Sequence, residues 1–242
     1  MATINMILQG KGGVGKSLAA GLLSQYFLEA GRKTVCIDTD PVNATLAGYR
    51  ALDAIALDIM NGGDDVDPRQ FDRLVDAIVT LPEDTQVVVD NGAATFLPFC
   101  SYLAENAVFD VLHDSGQTVR LHSVVTGGQA ILDTLNGLDS LITNFEGKPL
   151  YVWLNPFFGP ITSNGKPFEE FPVFRDHMSS FEAVIRLPNK RKETFGRDLE
   201  NLLADRLSFT EALTGDRYSI MVRQRLRMMW REIRAELDKA NL

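Results

Sequence analysis

Short apolar runs recur along the chain, and longer stretches with apolar positions at helical spacing stand between them. Residues 4–8, 34–38, 86–90, 119–125, 150–154 and 183–187 are such runs, rich in Val, Ile and Leu. Their length and β-branched content predict strands. The intervening residues 18–30, 71–79, those near 129–143 and the tail 218–239 predict helices. Gly31 is placed to stop the first helix, and Asp67-Pro68 to start the second. Several runs are apolar throughout instead of alternating with polar residues, as Val87-Val88-Val89 shows. That pattern predicts burial on both faces, hence a parallel sheet wrapped by helices. The expected fold is a doubly wound, mostly parallel α/β sheet with helices on both faces. It forms one domain over residues 1–242, with a C-terminal helix over about 218–239. Right-handed crossovers then bring the functional loops to the carboxyl ends of the strands. Residues 61–65 and the Gly/Pro-rich stretch 157–167 read as loops.

Composition narrows the class without changing this picture. The 242 residues are 45% hydrophobic and 23% charged, ordinary for a globule, which excludes a disordered or fibrous chain. Cys36 and Cys100 are too few for a disulfide framework, and His113, His122 and His177 lack metal-ligand spacing. Neither a charged leader nor a membrane-length apolar run is visible, so the chain is expected to be cytoplasmic. The net charge of −8 argues against bulk nucleic-acid coating. Residues 186–242, however, hold 13 Lys/Arg against 9 Asp/Glu, so a local basic surface is expected there.

The chemistry concentrates after the first strand. Gly10-Lys11-Gly12-Gly13-Val14-Gly15-Lys16-Ser17 satisfies the full eight-residue phosphate-loop pattern in the required strand–turn–helix context. Backbone N–H groups of Gly12, Gly13, Val14 and Gly15 are expected to cradle phosphates at a helix N-terminus. Lys16 is expected to reach the β- and γ-phosphates, and Ser17 to ligate Mg²⁺. Val87-Val88-Val89-Asp90 ends a buried strand in a carboxylate, which suits a Mg²⁺ site that also uses phosphate oxygens. The expected cofactors are ATP and Mg²⁺.

Lys11 departs from the minimal loop, because a second lysine is not needed to hold phosphates in the same chain. Lys-Gly-Gly-Val-Gly-Lys-Ser resembles the deviant Walker A class of ParA and MinD ATPases and the nitrogenase iron protein. The resemblance implies a nucleotide-sandwich homodimer in which Lys11 crosses to the other copy's nucleotide. It also implies roles for the Asp38-Thr39-Asp40-Pro41 segment: Asp38 in the Mg²⁺ shell, Asp40 orienting the attacking water. Asn43-Ala44-Thr45 follows as in ParA proteins, one residue nearer the proline. Asn91-Gly92 matches a switch that senses the γ-phosphate. Asn155-Pro156 matches the asparagine that hydrogen-bonds adenine, and Leu187-Pro188-Asn189-Lys190 a second adenine-pocket loop. Through essentially the whole chain, from Met6–Gly10 to Thr126-Gly127-Gly128-Gln129 and Arg223-Gln224-Arg225-Leu226, the sequence resembles the TraL family of conjugative-plasmid proteins.

The expected function is an ATP-binding and hydrolysing dimer switch, slow without a partner and accessory to plasmid transfer. The partners implied are a second copy of the chain and a transfer-region protein. The alternative is an ATP-dependent amide-forming enzyme of the same superfamily, which needs a substrate pocket the sequence does not locate. An iron–sulfur carrier would need neighbouring cysteines, and Cys36 and Cys100 are not so placed. In the tail, Val222, Leu226, Met229, Trp230, Ile233 and Leu237 fall on one stripe at 100° per residue. Arg223, Arg227, Arg231 and Arg234 fall on the adjacent face, open to DNA phosphates or an acidic protein surface. Glu232, Glu236 and Asp238 argue against membrane insertion.

Overall fold

The computed structural model describes residues 1–40, 42–60, 66–163 and 165–242. Pro41 and the loop expected at 61–65 lie outside the described residues. Seven strands form one sheet: β1 (Thr3–Ile7), β2 (Lys33–Asp38), β3 (Ile55–Ala56), β4 (Thr85–Asp90), β5 (Thr118–Thr126), β6 (Leu150–Asn155) and, after the hairpin described below, β9 (Phe181–Arg186). Their order is β3-β2-β4-β1-β5-β6-β9, and every pair is parallel. The helices between them are α1 (Lys16–Glu29), α2 (Gln70–Val79), α3 (Phe96–Glu105), α4 (Val108–Asp114) and α5 (Ile131–Asn144). The remaining helices are the short α6 (Pro172–Asp176), then α7 (Arg197–Ala204), α8 (Phe209–Thr214) and α9 (Ile220–Lys239).

The two-residue period of each strand sorts its side chains into two cores. Ile4, Met6, Val87, Val89, Val152 and Leu154 face one side, where residues of α2 to α5 cover them. Ile7, Cys36, Val88, Tyr151, Trp153 and Ile185 face the other, beneath α1, α7, α8 and α9. Both faces are therefore dry, which is why the strands read as unbroken apolar runs. Helix α1 is buried nearly all round, from Ala19 to Phe27, because the sheet lies on one flank and the C-terminal helices on the other. The stripe on α9 meets that layer: Leu226, Met229, Trp230, Ile233 and Leu237 are buried, and Trp230 stacks on Phe209 with centroids 4.9 Å apart.

The structure adds elements that periodicity did not indicate. Helix α3 carries Pro98 in its first turn, where the missing N–H has no intrahelical partner to lose. The loop expected over 157–167 contains a 3₁₀ turn (Pro156–Phe158) and a two-stranded hairpin, β7 (Thr162–Ser163) with β8 (Lys166–Pro167). Strand β1 lies between β4 and β5. Its following helix, α1, packs on one face, whereas α5, which follows β5, packs on the other. The chain diverges there, opening a crevice at the carboxyl ends of β1 and β5 where ligands bind in such sheets.

Candidate nucleotide site

The phosphate loop leaves β1 and enters α1 through Gly15, whose φ of 106° is a left-handed conformation that side-chained residues rarely adopt. A Cβ there would also stand 2.7 Å from Asn155 Nδ2. That Nδ2 donates to the Val14 carbonyl at 2.8 Å, and Asn155 Oδ1 accepts from Phe157 N at 3.2 Å. Both ends of the carboxamide are thus engaged by backbone. The residue expected to touch adenine ties the phosphate loop to the end of β6.

Asn155 and Pro188 do meet at one cleft. A cavity of about 230 Å³ is lined by Gly13, Gly15, Asn155, Pro156, Phe157 and Pro188, among others. Its lining is mostly apolar, as a purine base requires. Lys192 lies over the Phe157 ring, 5.3 Å from its centroid. The buried Met229 and Ile233 of α9 also line it; the sequence shows these two only as members of an apolar stripe.

Beside the loop, Lys16 is buried and donates from Nζ to the Lys11 carbonyl at 3.0 Å. Burial lowers its pKa, and the charges of Asp90 and Asp40 oppose that. Asp38 and Asp90 end adjacent strands in register, and Asp90 is also level with Ile7 of β1. The two carboxylates differ in their surroundings. Asp38 accepts from Asp40 N at 3.0 Å and from Ala47 N at 2.9 Å, which fixes the segment after β2. Asp90 is 1% exposed, and neither of its oxygens has a hydrogen-bond partner. Burial pushes its pKa up to about 7; the Ser17 hydroxyl, near it but outside bonding geometry, and the Lys16 ammonium draw it back, while Asp38 and Asp40 reinforce the rise. A buried carboxylate without donors is stabilised by a cation. Its orphaned oxygens next to Ser17 therefore fit a divalent metal. Among the described residues no three His, Cys, Asp or Glu side chains converge into a cage, so such an ion would need phosphate oxygens to complete its shell.

Asp40 accepts from Val42 N at 2.9 Å and Asn43 N at 3.0 Å. Its carboxylate lies against Gly92: a Cβ there would stand 2.8 Å from Asp40 Cγ. The segments after β2 and β4 are therefore in contact. They are joined again by Thr39, whose Oγ1 lies 3.1 Å from two acceptors, Asp90 O and Asn91 Oδ1, and Thr95 Oγ1 lies 2.9 Å from the same Asn91 oxygen. Asp40, Thr45, Lys16, Ser17 and Gly12 line one open hollow over the loop.

Lys11 stands at the crest, away from Lys16. Its side chain is 44% exposed, and Nζ pairs with Asp133 of α5 at 2.8 Å. Asp133 carries no sequence signal of this role. On α9 the arginine face is partly engaged: Arg223 donates to Gly215 O at 2.9 Å, Arg234 pairs with Glu29 at 3.3 Å, and the exposed Arg227 donates to Gln224 Oε1 at 3.0 Å; Arg231 is exposed.

Comparison with known proteins places this geometry among relatives. Residues 5–195 match the family described as the CobQ/CobB/MinD/ParA nucleotide binding domain. A protein called TraL from Escherichia coli is 45% identical over 241 residues, spanning 99% of both chains. The MinD cell division protein of Aquifex aeolicus shares the fold at a TM-score of 0.55 and 15% identity, covering 96% of this chain and 97% of that one. A plasmid partition protein from Borrelia burgdorferi B31, solved bound to AMPPNP, superposes at 0.51 with 15% identity over 99% of each chain.

Proposed function

We propose, from the premise that the chain belongs to the CobQ/CobB/MinD/ParA nucleotide-binding family and within it to the TraL proteins, that it is an ATP-driven dimer switch. One observation carries the reading. The phosphate loop already holds an inward, buried lysine, Lys16, and presents a second, Lys11, outward at its crest. A cation so placed serves a phosphate that lies outside its own loop, which a second copy facing this one would bring.

In this reading Gly12 to Ser17 bind the phosphates and the apolar cleft at Phe157 and Pro188 takes the base. Ser17 and Asp90 hold Mg²⁺, with Asp38 behind them ordering the segment that carries Asp40. The metal neutralises charge on the β- and γ-phosphates when bound. Asp40 orients a water whose oxygen attacks the γ-phosphorus as the bond to the β–γ bridging oxygen breaks, leaving ADP and phosphate. Lys16 from the same chain and Lys11 from the other stabilise the charge that spreads over the transferring group. A charged finger of this kind contributes about 10³–10⁵ in rate in other NTPases, so the monomer turns over slowly. Asn155 acts by closing the loop against the base cleft.

The full-length likeness to TraL supports a task in conjugative plasmid transfer, with a transfer-region protein as the reader of the dimer. The deciding experiment is sedimentation with a non-hydrolysable ATP analogue and Mg²⁺, alongside phosphate release with ATP alone. Nucleotide-dependent dimers and free phosphate support the switch. Phosphate release strictly tied to an added small carboxylic acid identifies an amide-forming enzyme instead.

A further inference from the structure

Gln9 follows the apolar run Met6-Ile7-Leu8 into the phosphate loop, and it is fully buried. Its carboxamide joins three elements at the crevice. Nε2 donates to Val124 O of β5 and to Thr134 O of α5, each at 3.0 Å, and lies 3.3 Å from Ser123 Oγ. Oε1 accepts from the backbone N–H of Lys11 at 3.4 Å. Thr134 follows Asp133 directly, so one side chain grips both the backbone that carries Lys11 and the helical turn that carries its counter-ion.

The fit requires a glycine on the helix. A Cβ on Gly137 would overlap Gln9 Oε1. Gly137 is buried in the interior of α5, where alanine is the better helix former. A glycine there lowers intrinsic helix stability, and the space it leaves is the space the carboxamide occupies. Among the described residues the Gln9 carboxamide bonds none from Gly12 to Ser17; the cradle meets Lys11 where Lys16 Nζ donates to the Lys11 carbonyl at 3.0 Å, a donor that a bound phosphate would take over.

We propose that Gln9, seated by Gly137, is a positioning residue that sets where Lys11 stands, and so governs the reach of Lys11 to a second copy. This rests on the reading that Lys11 acts across a dimer. Loss of the carboxamide leaves the residues from Gly12 to Ser17 in place and removes the buried tie of the crest to β5 and α5, so that the exposed Lys11–Asp133 pair is what still joins Lys11 to α5. Lys11 then samples many positions, and the dimer loses the alignment of its cross-subunit cation.

The test separates packing from positioning. Gly137→Ala forces Gln9 out of its seat, and the double variant Gly137→Ala with Gln9→Ala relieves the overlap without restoring the carboxamide. Three quantities are measured on the full chain: thermal unfolding, binding of a fluorescent ATP analogue with Mg²⁺, and association in AMPPNP by sedimentation. The double variant is expected to stay folded, since the helix gain of alanine at 137 offsets part of the lost hydrogen bonds, and to bind nucleotide within about threefold of wild type, yet to associate at least about tenfold more weakly. In a Lys11→Ala background the same pair of changes is expected to have no further effect on association, since coupled residues are non-additive. Wild-type association by the double variant, or parallel loss of nucleotide binding, overturns the proposal. If Lys11→Ala alone associates like wild type, the cross-subunit reading fails and takes the role of Gln9 with it. If Lys11→Ala fails to associate while the double variant succeeds, only the assignment to Gln9 is wrong.

Discussion

The two lysines of the phosphate loop are chemically alike and differently placed, and their substitutions should separate. Lys16→Ala removes a buried cation from the phosphates and should weaken ATP binding by about 10- to 100-fold, the range of a lost charged hydrogen bond; equilibrium dialysis checks it. Lys11→Ala should leave that affinity nearly unchanged and strongly weaken nucleotide-dependent dimers. The Lys11–Asp133 pair is solvent-exposed, so breaking it is cheap, at most about 1 kcal/mol. Asp133→Asn should therefore free Lys11 and tighten association in AMPPNP by no more than about fivefold. Asp40→Asn keeps the oxygen that accepts from Val42 and Asn43 and removes the charge. Single-turnover hydrolysis should fall by about 10²–10⁴-fold, the usual contribution of such a group, while dimers persist longer. Wild-type turnover in that variant would assign the water to another residue.

At the scale of elements, the arginine face of α9 divides into two pairs. Arg223 and Arg234 tie the helix to Gly215 and Glu29 of other segments, whereas Arg227, which donates to Gln224 within the helix, and Arg231 are exposed. Arg227→Gln with Arg231→Gln should leave unfolding unchanged and lower the salt sensitivity of binding to an anionic partner by up to about two counterions. Unchanged affinity for DNA at every salt concentration would make the face ordinary solvated surface. The strands and the phosphate loop were legible because burial on both faces leaves long apolar runs, and because the glycine pattern has few other uses. The stripe of α9 was legible for the same kind of reason, a period matched to one buried face. Helices α3 and α4 were not, since Pro98 and a run of mixed residues blur their period. Asp133 as the partner of Lys11, and Gln9 as the partner of Val124 and Thr134, were invisible because the sheet order joins them across more than a hundred residues of chain. Met229 and Ile233 carried half their meaning in the sequence: apolar and inward, with nothing to say that a cleft lies beyond them.

For the whole molecule, the buried polar cluster in the sheet sets a dependence on acid. His122 accepts from Trp153 Nε1 at 3.1 Å and meets Asn5 Oδ1 at 3.2 Å, with no exposed surface. Burial pushes its pKa down to about 3, and Arg120 adds to the shift. The folded protein keeps His122 neutral, whereas the unfolded chain takes up a proton near pH 6.5. Its contribution is therefore complete above about pH 6.5, declines as pH falls, and levels off below about 3. By pH 4 the loss is on the order of 3 kcal/mol. Urea midpoints at pH 7 and pH 4 measure it, and His122→Gln should show a smaller difference between the two than wild type does.

Met229 and Ile233 of α9 line the cleft proposed above for the base, so in that reading the tail is a tethered stopper. A base leaving the cleft and a helix peeling from the sheet expose the same wall, so each event makes the other easier. Clipping or tagging the chain near its end should then quicken nucleotide escape, even though the cut lies far along the sequence from the phosphates. Reciprocally, a saturating nucleotide should shield the tail from protease, by the factor through which tail loss weakens its binding.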